Sequence, residues 1–420
     1  MERFFILKIK KYSVTETALG ALVLLPFLVG ILPGYAMYAC DILWAGLIVL
    51  FLSKRIIAGK EMRFCAVILS AFILYTLALY LFHLYSPLYY LWGIRNNFRF
   101  YAAFVAFGGF VTTEQAGGIL KLFDILFWCN AVISLVQFFF FDISGDALGG
   151  IFGSFAGCNS YTVIFFCIVL AVSALSYLTE SSSAGAFFAK YAATVIVSAL
   201  AELKFMFAVF GVITLLALLL TRATPRKLFL VILTAIAVTF GSALVAQMFS
   251  VDTDWFTLKW MLDTLTDESG YTSSGDLNRL TAITEINETI FTSPWQRLFG
   301  MGLGSCDTAS YDILVTPFFK EYGALHYTWI SYAFMYLETG YMGLLFYFGF
   351  FILVYFSAAR IGKVCSEDDL LYCNAAKIMA VVCAILAFYN SSLRTEAAYM
   401  AYFVLALPFA VKRKALDLQI

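Results

Sequence analysis

Twelve apolar runs, most of them about the length needed to cross a bilayer, leave this chain few folds to choose from. They lie at about 17–33, 35–52, 64–82, 98–112, 118–141, 161–178, 187–201, 205–221, 227–249, 339–359, 374–391 and 395–411. A hydrocarbon core about 30 Å thick takes about 20 apolar residues in a helix, and only a helix or a closed barrel satisfies every backbone N–H and C=O there without water. The expected fold is therefore all-α, a polytopic helical bundle of about 12 transmembrane helices with one large external loop. Composition agrees: 62% of the residues are hydrophobic and 13% are charged. That is about half the charged fraction of a soluble domain and excludes one. The runs at 98–112 and 187–201 are the weakest, and the pairs within 17–52 and 187–221 are split only by the tight turns LPGY and LAELK.

Basic residues collect in five places. Lys8, Lys10 and Lys11 precede the first run, Lys54, Arg55, Lys60 and Arg63 follow the second, and Arg222, Arg226 and Lys227 follow the eighth. Arg360 and Lys363 follow the tenth, and Lys412, Arg413 and Lys414 follow the last. With an even number of spans all five fall on one side, which the positive-inside rule makes cytoplasmic, together with both termini. The opening MERFFILKIKKY then reads as a cytoplasmic tail, since no small-residue cleavage site follows it. Three parts result: an N-terminal bundle of about nine spans over 1–249, an external loop subdomain over 250–338, and C-terminal spans with a tail over 339–420. The loop is rich in Asp, Ser, Thr and Gly, as in DTLTDESGYTSSGDLNR, and its acidic residues outnumber the basic ones by more than two to one. Its few cations, Lys259, Arg279, Arg297 and Lys320, stand out, although a charge in such a loop ordinarily serves only solvation.

Two segments around this loop carry a recognisable pattern. NRLTAITEINETIFTSPWQRLFGMGLGS (278–305) joins an Arg-led amphipathic stretch to a glycine turn, and LHYTWISYAFMYLETGYMGLL (325–345) is led by a histidine and ends in E-x-G-x-x-G-L. A third, weaker one is GGIFGSFAGCNSYTVIF (149–165). With about twelve spans and a dominant late external loop, the arrangement resembles the O-antigen polymerase and O-antigen ligase superfamily of bacterial polysaccharide assembly. The first two motifs cover about fifty residues, and the rest is similar in topology only. The resemblance implies a membrane glycosyltransferase of the bacterial cytoplasmic membrane, acting at its outer face by metal-independent inverting transfer. Its partners would be an undecaprenyl-pyrophosphate-linked oligosaccharide donor and a lipid-linked acceptor, with a chain-length regulator and a flippase in the same pathway. No cofactor and no nucleic acid are implied. A polymerase of O-antigen, capsule or exopolysaccharide repeat units is favoured over an O-antigen ligase, which would move finished glycan to a lipid or protein acceptor.

Elementary chemistry supports particular residues. A lipid pyrophosphate concentrates negative charge, and the guanidinium offers it a permanent charge with forked donors. Arg279 opens the amphipathic stretch of Leu280, Ile283, Ile286 and Ile290 and is the first choice to hold it. An acceptor hydroxyl must lose a proton, a task for a group titrating near neutrality, and His326 fits that role or a hydrogen bond to phosphate. The bland alternative is an interfacial histidine capping a loop. Glu338 is roughly 18 Å further along a continuous helix, too far to orient the imidazole unless Gly340 breaks the helix. It serves equally well as an acceptor for backbone groups beside the glycines.

Further substrate-binding candidates are Arg95 and Arg99, which share a helix face at i, i+4 and otherwise act as snorkelling anchors. Glu202 and Lys204 occupy the hairpin LAELK, where an ionisable pair is costly unless it faces a cavity or its partner. Arg394, with Glu396, sits in the last external turn, and Arg297 precedes LFGMGLGS, whose glycines permit close approach to a ligand or simply a tight turn. Arg95, Arg99, Lys204, Arg279 and Arg394 are thus expected to converge at the outer end. The nine cysteines show no C-x-x-C pairing, and Cys158 with Cys306, both expected outside, leave a disulfide open. His83 belongs to an interfacial belt. Two histidines without adjacent carboxylates argue against a structural metal, and no nucleotide-binding pattern is present. A lipid-linked oligosaccharide flippase is the competing class; its cavity would need charges along the spans and its loops would be short, and no internal repeat points to a transporter.

Overall fold

The computed structural model of the chain describes residues 14–32, 38, 41–43, 46, 59–222, 224–249 and 275–417. Among them every regular element is helical. Helix α1 (Val14–Leu24), continued by a 3-10 turn over Leu25–Leu28, is followed by α2 (Lys60–His83), α3 (Pro87–Phe110), α4 (Thr113–Phe141), α5 (Asn159–Leu178), α6 (Ala184–Leu200), α7 (Lys204–Leu220) and α8 (Arg226–Phe249). Short helices α9 (Ala282–Glu285), α10 (Pro294–Phe299) and α11 (Pro317–Tyr322) precede the long α12 (Ser331–Gly362), α13 (Glu367–Tyr389) and α14 (Ala398–Asp417).

Six of the described helices, α2, α4, α5, α8, α12 and α13, are long and apolar enough to cross a membrane. Helices α1, α6 and α7 are apolar but shorter. Helix α3 carries Arg95, Asn96, Asn97 and Arg99, and α14 runs into Lys412, Arg413 and Lys414; neither is among the six. The expected run at 35–52 falls almost wholly outside the described residues, as do Lys8, Lys10, Lys11, Lys54, Arg55 and Lys259. The chain is a helical membrane protein in which five of the twelve expected runs fold as shorter or more polar helices.

Contacts between connections define two ends of the bundle. At one end Tyr85 bonds Leu303, Asn159 bonds Ala201, Arg279 bonds Tyr389 and Arg394 bonds Thr328. At the other, basic side chains close the carbonyl ends of helices. Arg413 donates to the carbonyls of Gly109, Phe110 and Val111 at the end of α3, Lys227 to Leu218 and Thr221 at the end of α7, and Arg226 to Tyr177 at the end of α5. The last carbonyls of a helix lack internal partners and carry partial negative charge, so a cation there answers both needs. Arg413→Ala should therefore cost about 2 kcal/mol, read as a lower unfolding midpoint in detergent; an unchanged midpoint would mean that water caps α3 equally well.

The glycine turn of the loop is a wedge. Helix α12 is broken at Gly340 (φ 61°, ψ −165°), and the turn docks into the break: Met301 and Gly302 donate to the carbonyls of Leu337 and Glu338. Glu338 is fully buried, and its Oε1 accepts the Gly304 N–H at 2.8 Å. The close approach that the glycines permit is thus to protein backbone, on α12 at Gly300 and on α3 at Gly304. Around this wedge the loop has its own small core, in which Ala282, Ile286 and Ile290 meet Tyr327, Ile330 and Tyr336. The amphipathic stripe after Arg279 is the part that supplies it, through α9 and a π turn over Ile286–Ile290.

Candidate functional site

A cleft of about 490 Å³ opens at the end of the bundle where the loop lies. Its walls come from four separate stretches: Asp146, Asn159 and Tyr161 around the start of α5, Glu202 and Phe205 from the α6–α7 hairpin, Arg279 and Trp329 from the loop, and Tyr389 with Asn390 from the end of α13. The first wall is held by a polar stripe on α4. Asn130 Oδ1 accepts from Ile151 N, and Gln137 bonds both the N–H and the C=O of Gly150, so that the glycine-rich turn before α5 is pinned to an otherwise apolar helix. Spacing at 130 and 137, two helical turns apart, is the sequence signal for this; hydropathy alone hides it.

Arg279 is fixed at its root and open at its tip. Its Nε donates to the Tyr389 carbonyl at 2.7 Å and the guanidinium lies 4.9 Å from the Tyr389 ring centroid. Phe205 stacks on the same ring, 4.0 Å from it and nearly parallel to it. The two terminal Nη groups have no acceptor among the described residues. An arginine so placed presents a preorganised fork to the cleft, with acidic Asp146 and Glu202 on other walls.

His326 stands beside the cleft with two partners that sequence reading did not pick out. It occupies the left-handed region (φ 50°) between two 3-10 turns, its Nδ1 donates to Asp276 Oδ1 at 2.6 Å, and its ring stacks on Trp329 at 3.9 Å. Trp329 in turn lines the cleft. Leu277 N bonds Leu325 O, which holds the Asp276 strand of chain against the His326 turn. An imidazole whose Nδ1–H is held by a carboxylate keeps its Nε2 lone pair for a proton, the arrangement a general base requires. Glu338 takes no part in this; it braces the glycine turn instead.

Arg99 and Arg394 sit behind the cleft rather than in its surface. Arg99, with a side chain only 3% exposed, pairs with Glu396 at 3.1 Å, and Tyr161 donates to the other oxygen of Glu396 at 2.7 Å. Burial alone would push the Glu396 carboxyl up, but Arg99 and the Tyr161 hydroxyl outweigh it and hold it below its ordinary value. Arg394 pairs with the buried Asp307 at 3.1 Å, bonds the Thr328 carbonyl and covers the Phe334 ring. Asn96 also donates to Asp307, and Arg95 makes a forked pair with Asp41. Charges this deep need partners, so this network ties α3, the loop and the last turn together. Tyr161 is its link to the cleft.

The remaining candidates fall outside the cleft lining. Lys204 pairs with Glu202 at 2.8 Å, across a turn in which Glu202 has positive φ. Arg297 donates to the Asn287 carbonyl on an exposed face. Cys158 and Cys306 are both buried thiols, not a disulfide; burial raises Cys158 to about 11 and Cys306 well above its ordinary value. The convergence of basic residues is therefore split: Arg279 lines the cleft, Lys204 is paired with Glu202 at its edge, and Arg95, Arg99 and Arg394 are neutralised in its support. The chain matches no protein-family model and no curated protein sequence.

Proposed function

We propose that the protein is a membrane glycosyltransferase, a polysaccharide polymerase that joins undecaprenyl-pyrophosphate-linked repeat units at the outer face of a bacterial cytoplasmic membrane. Both termini then lie in the cytoplasm, with the Arg226, Lys227 and Arg413 end inward and the cleft outward. The observation that carries this reading is the open fork of Arg279 in a cleft walled by all three segments that resemble the polymerase and ligase superfamily: 149–165, 278–305 and 325–345.

Each feature of the cleft has a use in that reaction. Arg279 binds the pyrophosphate and stabilises the charge that grows on it as the glycosidic bond breaks. His326, oriented by Asp276, accepts the proton of the attacking sugar hydroxyl. Trp329 offers a flat apolar face to a sugar ring beside that histidine. Asn159, Asp146 and Glu202 supply hydrogen-bond partners for glycan hydroxyls.

The test is an assay of the purified protein with lipid-linked repeat units, followed as a ladder on a gel. Wild type should extend the glycan, His326→Ala should be slower by about 10²-fold, and Asp276→Asn by about tenfold, with its pH–rate profile displaced. A ladder unchanged by both substitutions would remove the base assignment. Transfer to an added non-lengthening acceptor with no ladder would mean ligase. Movement of intact lipid across a liposome membrane without transfer would mean flippase.

A further inference from the structure

A second groove lies at the opposite end of the bundle from the cleft, between α4, α5, α6 and the start of α13, with a volume of about 560 Å³. Its walls are of two kinds. Phe123, Ile168, Val172 and Phe187 make one side apolar, and Lys121, Asp124, Lys190, Ser181 and Ser182 make the other polar.

The charges are the unexpected part. Helix α4 is long and apolar enough to cross a membrane, yet Lys121 and Asp124 are set one turn apart on it, two to three turns in from Thr113. Lys190 of α6 contacts Asp124, which leaves Lys121 as a cation without a partner among the described residues. The three charges sum to one positive. The Ser182 hydroxyl is buried and has no hydrogen-bond partner among the described residues. A lysine within a span is expensive unless it reaches a headgroup or a counter-ion, and basic pockets between helices on the cytoplasmic side accept anionic headgroups.

We infer that this groove is a binding site for one anionic phospholipid, with its phosphate on Lys121, Lys190 and the Ser181–Ser182 turn and its acyl chains along Phe123, Ile168, Val172 and Phe187. A free phosphate would share the polar side, but it would leave the apolar wall unused. The assignment is independent of any glycosyl transfer at the other end.

The experiment is thermal unfolding of the whole protein in maltoside micelles, titrated separately with phosphatidylglycerol, phosphatidylcholine and inorganic phosphate. Phosphatidylglycerol should raise the midpoint at lower concentration than phosphatidylcholine. Lys121→Gln, which breaks no bond to the described protein, should weaken that response about fivefold, and Lys121→Gln with Lys190→Gln about 20-fold. Equal responses to the two lipids, or an unaltered preference in Lys121→Gln, would overturn the site. An equal response to inorganic phosphate would overturn the lipid as its occupant.

Discussion

Gly304→Ala should lower the unfolding midpoint of the detergent-solubilised protein by roughly 5 °C, which for a chain of this length corresponds to about 4 kcal/mol. Two costs combine. Gly304 has φ +81°, a region in which an L side chain is disfavoured by roughly 1–2 kcal/mol, and a Cβ there would lie 2.0 Å from the Tyr89 carbonyl oxygen and 3.0 Å from Gly93 N. Both are backbone atoms of α3, so no rotamer change relieves the overlap. The turn must withdraw, and in doing so it releases the Gly304 N–H from Glu338, leaving the buried carboxyl group without that donor. Gly118→Ala is the control, since its Cβ would meet nothing within 4 Å on α4, and helix propensity predicts a small stabilisation. Equal midpoints for the two variants would show that the glycine turn is not wedged as described.

The long helices were legible because a bilayer narrows the code to length and hydropathy. The run expected at 118–141 forms α4 (Thr113–Phe141), that at 161–178 forms α5 (Asn159–Leu178), and that at 227–249 forms α8 (Arg226–Phe249). Where polar groups are buried against partners, the same signal misleads. The run at 98–112 belongs to a helix that begins at Pro87, because Arg95 to Arg99 lower its hydropathy while Asp41 and Glu396 neutralise the two arginines in space and Asp307 accepts from Asn96. The run at 339–359 begins at Ser331, because Glu338 and Gly340 interrupt it only to receive the glycine turn. Pairings across the chain were beyond reach: Asp276 and His326 are 50 positions apart and Arg99 and Glu396 are 297 apart, and a single sequence contains no term that couples them. Sequence put Arg279 first, on the amphipathic stretch that it opens, and kept Arg297 as a further candidate beside the glycine turn. The fold gives that ranking its physical reason, since one guanidinium lines a cleft and the other lies on an open face.

That separation sets the largest functional effect. Arg279→Ala should reduce polymer formation by about 10²- to 10³-fold, the range for losing one preorganised charge-stabilising group, with the protein still present in the membrane. The substitution leaves the Tyr389 carbonyl without its donor, but this carbonyl borders the cleft, where water can replace the guanidinium Nε. Folding should therefore survive. Arg279→Lys keeps the charge but loses the fork and the contact with the Tyr389 ring, so it should recover only part of the activity, about tenfold below wild type. Arg297→Ala, by contrast, removes a bond to the Asn287 carbonyl on an exposed face and should leave chain length and yield unchanged. Normal polymer from Arg279→Ala would refute its assignment to the pyrophosphate. Equal losses from Arg279→Ala and Arg297→Ala would move the site away from the cleft, because the two share a loop and a charge and differ in where the fold points them.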